Sequence, residues 1–157
     1  MLQRIQTVYL LLVVVVVIIS MFFPYATFIN QENIHQLTIF GLKPVDSDLV
    51  NLSFSNRFPI YIGVFMVLGT SLASIGFFKN RKRQLLLGKI NYLLILISLV
   101  FIFLDVDFVS NELLVDDQLP IYGLGTYFLV CTLPLVFLAN RAIKKDESLI
   151  KSLDRLR

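Results

Sequence analysis

Long stretches without charge dominate the chain. From Ile5 to Gln31 no residue is charged, a run of 27 residues, and further uncharged stretches run from Phe58 to Phe78 and from Gln118 to Asn140. Between Lys89 and Asp105 only Ile90 to Leu104 is uncharged, but a start at Leu85 gives 20 residues. That start requires Lys89, about one turn inside, to lift its ammonium to the interface on its long aliphatic stem. A hydrocarbon core of about 30 Å needs roughly 20 helical residues at about 1.5 Å each. The pattern therefore predicts four spans, over residues 5–28, 58–78, 85–104 and 118–140.

Between the first two spans, residues 29–57 change period. In VNLSFS, Val50, Leu52 and Phe54 alternate with Asn51, Ser53 and Ser55, the two-residue repeat of a strand with one dry face. Gln36 to Phe40 is a second β-prone run, and GLKPVDSD between them supplies turn residues, so a hairpin is expected. A strand within Phe108 to Val115 could extend it, because a hairpin alone is marginal. His35 falls at the hairpin edge and reads as a surface residue. In the tail, residues 141–157, Leu149, Ile150, Leu153 and Leu156 recur at helical spacing among basic residues, which predicts an amphipathic helix on the membrane surface, under the bundle or on a partner. The expected fold class is thus an all-α membrane protein in one domain. It is a four-transmembrane-helix bundle with a small extracytoplasmic β-hairpin or sheet and a cytoplasmic C-terminal amphipathic helix.

The first apolar run exceeds the roughly 7–15 residues of a signal-peptide core, and Phe23-Pro24-Tyr25-Ala26 lacks a small residue two before Ala26. It reads as a retained helix that bends or stops near Pro24.

Charge assigns the sides. Lys79, Arg81, Lys82, Arg83 and Lys89 crowd the connection between the second and third spans without an acid. Asp105 to Asp117 holds five acids and no base, and the tail holds six bases, Lys144, Lys145, Lys151, Arg155 and Arg157 among them. With Arg4, one side carries twelve Lys and Arg, and the other only Lys43 and Arg57. Basic residues stay cytoplasmic, so both termini are expected there. The basic runs read as orientation signals and contacts to anionic lipid; no aromatic lies within KNRKR to stack on bases, so nucleic acid is not an expected partner.

Composition adds little chemistry. The net charge is +3, the apolar share is 57%, and one cysteine, Cys131, with one histidine, His35, cannot build a disulfide or a Cys/His metal cluster. No cofactor is expected. Gly69, Ala73 and Gly76 form a small-residue stripe on the second span, a candidate tight helix contact within the chain or in a homo-oligomer. Lys89 and Asn91 are the polar intramembrane positions, and an amide at that depth seeks a partner on a neighbouring helix. Pro134 should kink the fourth span, which also carries Gly123, Gly125, Thr126 and Thr132.

MLQRIQTVYLLL, FFKNRKRQ and NRAIKKDESLIKSLDRLR resemble the uncharacterised Bacteroidetes membrane-protein family known as domain of unknown function 4293. The resemblance implies a four-span inner-membrane protein of a Gram-negative bacterium, with a periplasmic outer face and no assigned activity. The residues point to a non-catalytic accessory or scaffold subunit that binds another membrane or cytoplasmic component. A small-solute carrier or channel subunit is the alternative; an enzyme is not expected, since no nucleophile with its base, carboxylate pair or metal site lies near the bilayer.

Overall fold

The computed structural model describes residues 2–30, 33–45, 60–78, 80–112 and 119–154. In chain order these form α1 (Leu2–Ser20), β1 (Ala26–Asn30), β2 (Asn33–Thr38), β3 (Gly41–Pro44), α2 (Ile60–Gly76), α3 (Arg81–Glu112), β4 (Ile121–Tyr122) and α4 (Leu124–Asp154).

Each helix buries one seam in alternating steps of four and three residues. The seams are Gln6, Leu10, Val13, Val17 and Ser20 on α1, and Ile60, Val64, Val67, Ser71 and Ser74 on α2. On α4 the seam is Gly125, Leu129, Thr132, Val136, Ala139, Ile143 and Asp146, and on α3 it runs from Gln84 to Val109. That 3.5-residue spacing is the repeat of helices that coil gently around one another with interlocking side chains. The helices close a ring in which α1 packs on α4 and α2, and α3 packs on α2 and α4.

The expected bundle of four membrane spans does not form. Among the described residues only α3, over Arg81–Asn111, and α4, over Leu124–Ser148, are long and apolar enough to cross a membrane. The apolar part of α1, Gln6–Ser20, and α2, Ile60–Gly76, fall short, since 17 residues rise only about 26 Å. The 27-residue uncharged run is not one helix: it turns after Ser20, passes Pro24 and becomes β1. Lack of charge marks apolar character, whether the backbone is helix or strand. By contrast, α3 overruns its expected span at both ends and carries Asp105, read as loop, deep inside the helix. The tail is no separate helix either; α4 continues unbroken through Asn140 to Asp154, with Pro134 inside it.

Where a hairpin or small sheet is expected, the chain forms a four-stranded antiparallel sheet in the order β3-β2-β1-β4. Ala26 and Phe28 on β1 and Leu37 on β2 face the core, with Ala26 opposite Leu37. GLKP, read as a turn, is a strand: Ile39 and Phe40 make the turn and Thr38 pairs with Gly41. Gly41 has φ 143°, a backbone that favours glycine. His35 therefore lies on a central strand opposite Phe28 and Pro44, instead of at an edge. The added strand is Ile121–Tyr122, whereas residues 108–112 are helical; the expected strand at 50–55 lies outside the described residues.

Candidate functional site

The seam of α3 reads Gln84, Gly88, Asn91, Ile95, Ser98, Ile102, Asp105, Val109. Its polar members, Gln84, Asn91, Ser98 and Asp105, recur every seven residues, and each is at most 3% exposed. They form a polar row along about 31 Å of helix, roughly the thickness of a hydrocarbon core. The opposite faces are apolar: Leu86, Leu93, Leu96, Val100 and Phe103 are exposed on α3, and Tyr127, Val130 and Phe137 on α4. A helix in water shows the reverse arrangement.

Neighbouring helices meet the row with small or polar groups. Asn91 Nδ2 donates to Ser71 Oγ on α2 at 2.7 Å, and the Ser71 hydroxyl donates to its own helix at Val67 O, 2.8 Å away. Ser98, which donates to Leu94 O at 2.8 Å, faces Gly63, where a Cβ would stand 2.5 Å from Ser98 Oγ. Asn140 of α4 lays its amide over Gly88, filling the space a side chain there would need. At the end of the seam, Arg81 Nη2 lies 3.0 Å from Asp146 Oδ2, and Gln6 Nε2 donates to Ala142 O at 3.2 Å. These contacts bring the start of α1, the α2–α3 connection and the second half of α4 to one end of the bundle.

At the other end the sheet is tied to α4. Tyr25 O accepts from Gly123 N and Thr126 Oγ1, both at 2.8 Å, and Pro24 O accepts from Gly125 N at 3.0 Å. A Cβ on Gly125 would stand 2.7 Å from Phe23 O and 3.0 Å from Pro24 O, so the two glycines mark where α4 starts against the link after α1. Tyr25 is fully buried, and burial raises its phenol above the usual value, partly offset by the Ser20 hydroxyl.

Of the residues singled out from the sequence, Asn91 lies in the seam and Lys89 is exposed beside it. Gly69 and Gly76 are exposed with nothing within 4 Å of a Cβ, and Ala73 is half-buried, so the stripe makes no close helix contact within the chain. Close approaches occur at Gly63, Gly88, Gly123 and Gly125 instead. Arg81 pairs with Asp146, Lys82, Arg83, Lys144 and Lys145 are exposed, and the Arg83 guanidinium sits over the Phe77 ring at 5.9 Å. The backbone of Lys151 lies in α4, and Lys79, Arg155 and Arg157 lie outside the described residues. Gln84, Ser98 and Asp105 are not among those singled out as seam residues, although the seven-residue steps from Gln84 through Asn91 and Ser98 to Asp105 are visible in the sequence.

No curated protein and no solved structure matches the chain. The family model described as Domain of unknown function (DUF4293) matches residues 2–156. The chain belongs to that family.

Proposed function

We propose that the protein is a non-catalytic accessory or scaffold subunit of a bacterial inner membrane, one that binds another membrane protein through the outside of α2. The observation that carries this reading is the division of labour on α2. Its buried seam is spent inside the chain, while Gly69, Ala73 and Gly76 stand on the outer side beside exposed Phe65, Met66 and Leu72. In lipid, helices associate by close backbone approach at small residues, and such a stripe left open inside the chain suits a second helix. The inverted polarity of α3 and α4 supports a membrane location, with both helices crossing. Their basic end then faces the cytoplasm with both termini, and the sheet faces the periplasm. The resemblance of the termini supports a source in the Bacteroidetes.

Affinity purification in mild detergent tests the reading. A stoichiometric companion should copurify and be lost from Gly69→Leu/Gly76→Leu while the helical content of that variant is unchanged. Recovery of the 18.0 kDa chain alone in several detergents would overturn it.

The polar row favours one alternative, a small-solute carrier or channel subunit in which Asp105 sits on the path. Reconstituted vesicles that lose flux on Asp105→Asn would support it, and no flux from the unaltered protein would end it. Lys89 is exposed outside the seam and is not the residue to test.

A further inference from the structure

Hydrogen-bond accounting around Asn91 leaves an acceptor over. Ser71 spends its only proton on Val67 O, so its oxygen must accept, and the group that Asn91 turns toward it must be the amide Nδ2. That fixes the orientation of the carboxamide. Asn91 Oδ1 then points away, fully buried and without a hydrogen-bond partner among the described residues.

Two more buried oxygens lie about one helical turn from Asn91. Ser74 is three residues past Ser71 on α2, and Gly88 is three residues before Asn91 on the antiparallel α3, so both lie toward the α2–α3 connection. Ser74 is 0% exposed, and among the described residues its Oγ has no hydrogen-bond partner, nor has Asn140 Oδ1, held over Gly88. Three helices thus present one oxygen each to the same stretch of the seam. Two are carbonyl acceptors that cannot satisfy one another, and buried polar atoms are rarely left so.

We propose that this stretch is a hydration site: a buried water donates to Asn91 Oδ1 and Asn140 Oδ1 and accepts from the Ser74 hydroxyl. A water fits because it supplies the two missing donors and takes the one proton on offer, three hydrogen bonds being usual for an internal water. The water links α2, α3 and α4 between the Asn91–Ser71 bond and the Arg81–Asp146 pair.

Solid-state NMR on the full chain tests the site. The protein is asparagine-labelled in phosphatidylethanolamine–phosphatidylglycerol vesicles with deuterated acyl chains, and side-chain signals are assigned through the preceding Ile90 and Ala139. Polarisation transfer from water protons should reach both the Asn91 and the Asn140 carboxamides, vanish in deuterium oxide, and fall at least twofold at both in Ser74→Ala. Transfer to neither or only one carboxamide, no change in Ser74→Ala, or carboxamide shifts that follow added sodium or potassium would overturn it.

Discussion

Replacing Gly63 and Gly69 by alanine, one at a time, separates helix packing from helix propensity. Both glycines lie inside α2, and alanine in a helix interior is favoured over glycine by about 1 kcal/mol. At Gly69 a Cβ meets nothing within 4 Å, so Gly69→Ala should raise the stability of the isolated chain by about that amount. At Gly63 the same atom would stand 2.5 Å from Ser98 Oγ and 3.3 Å from Ser98 Cβ, so α2 and α3 must part or Ser98 must leave its bond to Leu94 O. Overpacking of this kind costs about 1–3 kcal/mol, which leaves Gly63→Ala neutral to about 2 kcal/mol destabilised. The propensity gain cancels in the comparison, so the two variants should differ by about 1–3 kcal/mol. The clash is with one side chain, so Ser98→Ala should recover most of the loss in the double variant, giving a coupling energy of about 1 kcal/mol or more. Reversible unfolding in mixed micelles, followed by circular dichroism, reads the unaltered protein, the three single variants and the double variant. Equal stabilisation by both alanines, or no coupling to Ser98, would refute the contact.

Further outcomes are expected. Gly125→Ala should destabilise the chain by about 1–3 kcal/mol in the same assay, because the obstructing atoms are backbone carbonyls that cannot turn aside. Arg81→Ala should lose about 1–3 kcal/mol, as the Asp146 carboxylate, 9% exposed, is left without its cation; salt titration of the unaltered protein checks the same pair. Tyr25 has its phenol pKa raised on folding, chiefly by burial, so the neutral form is favoured in the native state. The linked stability is complete below pH 10 and declines as pH rises through the higher native value; a tyrosinate difference spectrum against Tyr25→Phe should show that late ionisation, and a midpoint at or below 10 would contradict it.

Much of the helical content was legible, because apolar runs of this length have few alternatives. The ends of the elements were not. Charge was read as the limit of a helix, yet Asp105 sits within α3 and the basic residues after Asn140 ride on α4, since neither sign of charge breaks a hydrogen-bond ladder. The uncharged run through Phe23 and Pro24 hid the change from helix to strand for the same reason. GLKP looked like a turn from its glycine and proline, but Gly41 starts β3 beside the turn and Pro44 ends β3 at the sheet edge, where its missing N–H goes unused.

One member of the polar row, Asn91, stands out in the sequence as an amide in need of a partner on another helix, and the others do not. Taken singly, Gln84, Ser98 and Asp105 look like interruptions in an apolar stretch, and only their common spacing with Asn91 places them on one face. Spacing alone cannot say whether a face turns inward. Gly69, Ala73 and Gly76 are as regular as the buried seam, and they lie outside.

The inward polar face of α3 is tested most directly by disulfide cross-linking in native membranes, in a chain carrying Cys131→Ser. Ser71→Cys with Asn91→Cys should form an intrachain bond rapidly, found by mass spectrometry of the linked peptides, whereas Gly69→Cys with Asn91→Cys should not. Efficient linkage through position 69, or none between positions 71 and 91, would place the polar row on the outside of the bundle and contradict the seam.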